Sequence, residues 1–266
     1  MALAILCILL AAGCIYLLRR KKPSKGVRAL LILATVLLLL TAFVFIWLSV
    51  YYHADPEAEV YLKSRGSVTV ERQGSVWRFD GPGDATALIF YPGAKVEAAA
   101  YAPLLYRLAE GGADAFLVEM PYRIAFLDRS AAARIIGDYA YRDWILAGHS
   151  LGGVAAAGYA EKHPDEIAGM VFLASYPAGG RVIRMPMLSV YGDQDKVLGR
   201  SGYEKSRESW PASAQELVIP GGNHAGFADY GPQMGDGKAT ISKDEQQRLT
   251  EEAILHWIGR LHTEES

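Results

Sequence analysis

Beyond residue 14 the sequence contains no cysteine. Its only two cysteines, Cys7 and Cys14, both lie in an apolar run at the N-terminus. The rest of the chain therefore has no disulfide framework, no thiolate nucleophile and no cysteine metal site. Cys7 and Cys14 are seven residues apart, share a helix face and are expected to be small packing residues. A basic excess is also missing. The 27 Lys and Arg residues are matched by 29 Asp and Glu, a formal net charge of −2. No nucleic-acid partner is indicated. Repeats and low-complexity tracts are absent from the region after residue 59.

Charge is missing altogether from two stretches. Leu3 to Leu18 (LAILCILLAAGCIYLL) and Ala29 to Tyr51 (ALLILATVLLLLTAFVFIWLSVY) contain no ionisable acid or base of the Asp, Glu, Lys or Arg type. About 17–25 apolar residues cross a bilayer as a helix, so the second run spans comfortably and the first is near the lower limit. Between them, residues 19–28 (RRKKPSKGVR) carry Arg19, Arg20, Lys21, Lys22, Lys25 and Arg28 with no acid. Basic loops stay on the cytoplasmic side. The expectation is a membrane anchor over residues 1–53, with transmembrane helices at 3–18 and 29–51 joined by a cytoplasmic loop at 19–28. This is a multi-pass topology that places everything after about residue 54 outside the cytoplasm. Trp47, Tyr51 and Tyr52 fall where an aromatic belt marks the outer interface. A cleaved signal peptide is the competing reading, as is a lipoprotein box at Ala12-Gly13-Cys14. The lack of a positive segment before the first apolar run argues against both.

Residues 54–64 contain the polar stretch DPEAE at 55–59 and are expected to be a linker. Residues 65–266 are long enough for one domain with a sizeable core. Two alternating segments, 67–70 and 75–79, flank Gln73-Gly74 and predict a hairpin. Apolar runs then alternate with helical patterns. Strands are expected at 85–91, 115–118, 144–147, 169–174, 186–191 and 215–219, and helices at 97–108, 128–139 and 154–162. The closing helix, 242–261, starts on the capping box Ser242-Lys-Asp-Glu245 and carries Leu249, Ala253, Trp257 and Leu261 on its apolar face. This pattern predicts an α/β fold with a mostly parallel sheet covered by helices on both faces. Reactive groups in such sheets collect just after the strands.

Ser150 meets that condition. It sits in Gly148-His-Ser150-Leu-Gly152-Gly, between the strand at 144–147 and the helix at 154–162. A sharp strand-to-helix turn needs small flanking residues and pushes the serine hydroxyl out over the helix N-terminus. Without that context the five-residue pattern is weak in a chain with 27 glycines. A serine also needs a base. Of six histidines, His53 is beside the membrane, His149 is inside the turn with its side chain directed away from a base's position, and His163, His256 and His262 belong to helix ends or the last helix. His224 follows the last strand, in Pro220-Gly-Gly-Asn-His224, and is the candidate base. The histidine in turn needs an acid to fix its tautomer. Tyr191-Gly-Asp193-Gln-Asp195 follows the strand at 186–191 and offers two. Asp195 is preferred because the turn after Gly192 has room to swing its carboxylate across the sheet. Asp193 remains the alternative, or a turn residue.

The order serine, acid, histidine and the motifs around Ser150, Asp195, His224 and Tyr91-Pro-Gly93-Ala94 resemble the α/β-hydrolase family. The resemblance runs over roughly residues 65–262 and is strongest to the small, lidless, dienelactone-hydrolase-like members. Those often use cysteine as nucleophile, where this chain has Ser150. The resemblance implies a catalytic triad of Ser150, His224 and Asp195. It also implies an oxyanion hole from the backbone N–H groups of Leu151 and, by position, Ala94. Larger members insert a helical cap after the strand matching 169–174. Only residues 175–185 intervene here, so an open, shallow pocket is expected. The long segment 225–241 after His224 is expected to border the pocket rim with Phe227 and Tyr230. Asp229 and Asp236 fit no calcium-loop spacing and are expected to be solvated turn residues.

The functional expectation is a membrane-anchored serine hydrolase. Its partners are a small-molecule ester substrate and the lipid bilayer, and no metal or organic cofactor is expected. A non-catalytic binding or scaffold domain on the same fold is the alternative. A transport or signalling role is disfavoured because neither apolar helix carries a charge to line a pathway, and anchoring is the simpler role.

Overall fold

The structure, a computed structural model, describes residues 2–20 and 23–264, with side chains as far as Leu261. The expectations placed on Lys21, Lys22 and the side chain of His262 lie outside the described residues. The chain separates into two compact units, Met1–Tyr51 and Tyr52–Ser266.

The first unit is a helical hairpin of α1 (Ala2–Arg20) and α2 (Lys25–Ser49). Both helices are long and apolar enough to cross a membrane. Their shared face is built from small residues: Ala4, Cys7 and Ala11 of α1 and Thr35 and Ala42 of α2 are buried. The α1 residues recur at helical spacing, so their backbones approach closely. Cys7 is thus a packing residue, as expected. Thr35 donates its hydroxyl to the carbonyl of Leu31 at 2.7 Å, so the buried hydroxyl is satisfied within its own helix. Large side chains point outward, Leu30 and Phe43 among them. α1 runs past the expected span at both ends, and α2 starts four residues before its expected span and stops two residues short of it, at Ser49; Arg19, Arg20 and Lys25 are good helix formers.

The second unit is an eight-stranded sheet with the order β1-β2-β4-β3-β5-β6-β7-β8. The hairpin β1 (Thr69–Gln73) and β2 (Val76–Asp80) pairs antiparallel, with Gln73 opposite Val76. Gly74 takes the left-handed conformation that this two-residue turn needs, at φ +59°. Next to β2 runs β4 (Asp114–Val118), also antiparallel to it. The other strands are parallel: β3 (Thr86–Tyr91), β5 (Asp143–His149), β6 (Gly169–Leu173), β7 (Met187–Gly192) and β8 (Gln215–Ile219). Every residue of β3, β4, β6 and β7 is buried. That is why these strands appear in the sequence as unbroken apolar runs.

Helices cover both faces. On one face α3 (Ala102–Glu110) and α7 (Lys243–Glu264) share a core with Leu88, Phe90, Leu117 and Ile219. Trp257 of α7 is 1% exposed there. Truncating a buried Trp of this kind costs about 3–5 kcal/mol. On the other face α4 (Ala131–Asp138) and α5 (Leu151–Ala160) pack on Ile89, Phe116, Leu146 and Phe172. A short helix, α6 (Arg200–Ser206), which the sequence pattern did not announce, buries Tyr203 against Tyr191 and Leu198.

Three expected elements differ at their starts. The helix expected from 97 begins at Ala102, after a 3-10 turn at Ala98–Tyr101, because Pro103 fits only the first turn of a helix. The helix expected from 128 begins at Ala131, behind two 3-10 turns. The helix expected from 154 begins at Leu151, immediately after Ser150.

Residues 54–64, read from composition as a linker, belong to the packed body of the second unit. Ala58 is fully buried, and Tyr61 and Leu62 pack on the core shared with α3. Tyr52, expected in an aromatic belt, forms a parallel bridge with Val96.

The strand order turns at β3, since the connection from β3 leads to β4 on one side and the chain then crosses to β5 on the other. The carboxyl ends of β3 and β5 therefore border the crevice where such sheets bind ligands.

Candidate active site

Ser150 is the residue between β5 and α5, with φ 52° and ψ −125°. A non-glycine residue there carries about 1–3 kcal/mol of backbone strain. The surroundings hold it in place. Its N–H donates to the carbonyl of Leu173 at 2.9 Å. Its carbonyl accepts from the Ser175 hydroxyl at 2.6 Å. The flanking glycines are steric requirements of the turn. A Cβ on Gly148 would stand 2.5 Å from the Gly153 nitrogen, and one on Gly152 would stand 2.1 Å from the Tyr91 carbonyl oxygen. The first turn of α5 thus rests against the end of β3. Leu151 is the first residue of α5, and a residue there has no acceptor within its helix for its N–H.

His224 and Asp195 lie in the loops after β8 and β7. His224 Nδ1 is 2.9 Å from Asp195 Oδ2, and both side chains are almost wholly buried. Asp195 Oδ1 accepts from the N–H groups of Val197 and Leu198, each at 2.8 Å. The carboxylate is therefore fixed and its charge partly met by two amides. Asp193 has another place: its Oδ1 accepts from the Gly221 N–H at 2.7 Å and closes the turn that leads to His224. The other ring nitrogen of His224, Nε2, is buried and makes no hydrogen bond among the described residues. Ser150 and His224 line one cavity of about 210 Å³, together with Leu151, Tyr176, Val197 and Leu198. The loop that carries Ala94 borders a separate cavity of about 310 Å³ through Pro92, Val96 and Glu97.

Five hydrogen bonds hold the backbone at and around His224. Its carbonyl accepts from His149 Nε2 at 3.0 Å. The Ala225 N–H donates to Asp236 Oδ2 at 2.9 Å. Gln246 of α7 clamps Asn223 on both sides, with Oε1 accepting from the Asn223 N–H at 3.0 Å and Nε2 donating to its carbonyl at 2.8 Å. Asn223 Oδ1 accepts from the Gly226 N–H at 2.9 Å.

His149 extends this network to the opposite loop. Because Nε2 donates to the His224 carbonyl, Nδ1 is the acceptor for the Tyr101 hydroxyl at 2.8 Å. Tyr101 Oη accepts in turn from the Gly93 N–H at 3.0 Å. A Cβ on Gly93 would lie 2.7 Å from His149 Nδ1, so only glycine fits. Burial, and then the nearby His224 ring, hold the His149 pKa well below the ordinary imidazole value. His149 is a neutral connector between the two loops.

Several expectations change here. Phe227 and Tyr230 were expected at the pocket rim. They are 0% and 1% exposed and anchor the segment after His224 into the core. Asp236, expected to be a solvated turn residue, ties the His224 loop to the Asp195 loop through the N–H groups of Ala225 and Lys196. Asp229 is partly buried and accepts from Gln247 Nε2 at 2.8 Å. The positioning roles of His149, Tyr101, Asp236 and Gln246 had no local sequence signal. Glycine-rich spacing around Asn223 was the nearest hint, since Gly222 and Gly226 both leave room for the Gln246 side chain. Among the described residues no cluster of three metal-ligating side chains occurs.

A family model described as "Alpha/beta hydrolase family" matches residues 87–248. Solved structures share the fold at low sequence identity. The dienelactone hydrolase from Anabaena variabilis is 16% identical over 72% of this chain and 99% of its own, with a TM-score of 0.56. Alpha/beta hydrolase domain-containing protein 10 from mouse is 12% identical over 74% and 100%, with a TM-score of 0.54. Est1E from Butyrivibrio proteoclasticus is 15% identical over 73% and 100%, with a TM-score of 0.51. No curated protein matches the sequence.

Proposed function

The chain belongs to the alpha/beta hydrolase family, and from that premise we propose that it is a membrane-anchored serine hydrolase that cleaves carboxylic esters with Ser150, His224 and Asp195. The observation that carries this reading is the buried His224–Asp195 pair at 2.9 Å, whose second ring nitrogen has no partner among the described residues, in a histidine that lines one cavity with Ser150. Catalytic hydrogen bonds are often loose before substrate binds and tighten in the complex.

The chemistry follows from these positions. The Ser150 hydroxyl attacks the ester carbonyl carbon while His224 Nε2 takes its proton. Asp195 holds the Nδ1–H tautomer and stabilises the imidazolium that forms. The tetrahedral oxyanion is received by the N–H groups of Leu151 and Ala94. One such donor is worth about 2.7–4 kcal/mol of barrier. His224 then protonates the departing alcohol, and an acyl-serine remains. Water, deprotonated by His224, releases the acid and restores Ser150. Thioesters and amides open by the same steps. The reaction draws on side chains and backbone alone, without metal or organic cofactor.

Anchoring is assigned to α1 and α2, both long and apolar enough to cross a bilayer. The basic residues between them support an orientation with the hydrolase unit outside the cytoplasm. The test is hydrolysis of short p-nitrophenyl esters by the full chain in detergent, beside Ser150→Ala. Turnover that the variant abolishes is expected. Turnover equal in both proteins, or absent from a folded wild type, contradicts the reading. Protease access to tags at each end of the chain in sealed membranes checks the orientation.

A further inference from the structure

Strand β6 ends at Leu173, and the chain leaves it through a strained turn. Ala174 has φ 46°, a left-handed conformation that disfavours any residue with a Cβ. Its N–H donates to the Val190 carbonyl at 2.8 Å, which fixes the turn beside β7. Strain of this kind persists only where the surroundings hold it, and it gathers at ligand sites. Here the turn delivers two consecutive side chains to Ser150. The Ser175 hydroxyl donates to the Ser150 carbonyl at 2.6 Å. Tyr176 lines the cavity of about 210 Å³ that Ser150 and His224 share.

The Tyr176 ring has a fixed seat. A Cβ on Gly202 would lie 2.3 Å from Tyr176 Oη, so the hydroxyl end of the ring rests on the α6 backbone. Tyr203 of α6 meets the ring edge-on, with centroids 6.0 Å apart and planes at 89°. Tyr203 is itself fully buried. Its hydroxyl donates to Glu216 at 2.6 Å and accepts from Ser189 at 2.8 Å, which ties α6 to β8 and β7. Val154, Ala174, Val197 and Leu198 add apolar surface to the same cavity. Among the described residues no Asp, Glu, Lys or Arg lines it. Arg200, next to the lining residue Gly199, lays its guanidinium on the Tyr191 ring, 4.2 Å from the centroid. A charged group in the cavity would lose water without gaining a partner, so a neutral group fits. The cavity is also smaller than the ~300–1,000 Å³ that encloses a drug-sized ligand, so that group is short.

We propose that Tyr176 sets which esters enter the site: the cavity takes a short, uncharged, apolar group, and the Tyr176 ring ends the room available to it. A short acid and a short alcohol supply the same chemistry. One methylene in an apolar pocket already changes kcat/KM about 10–200-fold, and each methylene beyond the wall has to displace a seated ring. This rests on the reading of Ser150 as nucleophile.

The experiment uses the full chain in mild detergent. One series varies the acid, as p-nitrophenyl acetate, butanoate and octanoate. A second varies the alcohol, as methyl, butyl and octyl acetate, followed by acid release at constant pH. In the wild type, kcat/KM is expected to fall at least about tenfold from the shortest to the longest member of one series. Tyr176→Ala is expected to raise the longest-to-shortest ratio about tenfold in that series. Tyr176→Leu, which keeps apolar packing on Gly202 and shortens the wall, should move the ratio the same way by less. Tyr176→Phe keeps the ring and should keep the ratio. A shift in the acid series places the acyl group in the cavity, and a shift in the alcohol series places the alcohol there. Either supports Tyr176 as the wall. A wild type without chain-length preference, or a ratio that neither Tyr176→Ala nor Tyr176→Leu moves, overturns it while Ser150-dependent turnover keeps the hydrolase reading. Faster cleavage of p-nitrophenyl hemisuccinate than of the butanoate, an uncharged acid of equal length, overturns the uncharged class. Turnover that survives Ser150→Ala overturns the hydrolase reading beneath both.

Discussion

The Nε2–H of His149 donates to the carbonyl oxygen of His224 at 3.0 Å. The residue before the candidate nucleophile thus holds the backbone of the candidate base. On its other side the same ring takes the Tyr101 hydroxyl, which also receives the Gly93 N–H. One buried Tyr–His pair therefore sets the spacing between the loop of Ala94 and the loop of His224. Tyr101→Phe keeps the ring and removes only the hydroxyl. It leaves the Gly93 N–H and His149 Nδ1 without this partner, and a buried unsatisfied group costs about 1–3 kcal/mol. The expected outcome is a cooperative unfolding transition at lower temperature and a kcat about tenfold lower, with KM nearly unchanged. Steady-state kinetics on a short ester beside thermal unfolding of the same samples checks both.

The Asp195–His224 pair predicts a sharp contrast between two neighbouring aspartates. Asp195→Asn keeps the shape but offers an amide where His224 Nδ1–H needs an acceptor. The wrong tautomer then faces Ser150, and kcat is expected to fall by about 10⁴-fold. Asp193→Asn touches the Gly221 turn and the neighbouring Gln194 amide, and neither reaches His224. It should cost about 1 kcal/mol of stability and leave kcat within a small factor. Kinetics of the two variants side by side distinguish them. Equal losses would mean that the acid has been assigned to the wrong residue.

His149 gives a pH dependence of stability. Its folded-state pKa lies well below the ordinary value. Below about pH 6.5 the unfolded chain takes up a proton that the folded protein refuses, so stability is full above that pH and declines as the pH falls. The melting temperature of the wild type should drop between pH 7.5 and 5. In His149→Gln, which cannot titrate, the drop should be smaller, although the variant starts lower. Parallel slopes in the two proteins would contradict a buried neutral imidazole.

Gln246 acts at a distance from the reacting groups. Gln246→Ala removes both bonds to Asn223 and opens space beside Gly222 and Gly226. The expected result is a loss of about 2–4 kcal/mol in stability. A lower kcat should accompany it, because the loop that presents His224 gains freedom. Hydrogen exchange of the amides at 223–226 should quicken relative to those of β5.

The legible part of this site was its local part. Gly148-His-Ser150-Leu-Gly152 announces itself because a strained turn, a helix start and two close backbone approaches all constrain neighbours in sequence. Asp195 and His224 could be found because each follows a strand and the sheet gathers strand ends together. The supporting residues were hidden for the opposite reason. Tyr101 and His149 are 48 positions apart, and His149 and His224 are 75 apart. Gln246 reaches Asn223 from a helix whose start and apolar face were visible but whose inward polar residue was not. Asp236 has the composition of a solvated turn, and only its contacts with the Ala225 and Lys196 amides reveal another role. The segment 54–64 looked like a linker because its charged residues are plain in the sequence, while the burial of Ala58 depends on α3 folding beneath it.

The measurement that bears most directly on the central claim is covalent labelling of the full chain, in mild detergent, with a fluorophosphonate probe, followed by mass spectrometry of the peptide around residue 150. An activated serine reacts because its hydroxyl is deprotonated on attack by a positioned base. The predicted result is a single adduct on Ser150 in the wild type, none in Ser150→Ala, and a large drop in labelling rate in Asp195→Asn. A folded wild type that stays unlabelled, or an adduct on a different residue that persists in Ser150→Ala, would contradict the assignment of Ser150, His224 and Asp195 as a working triad.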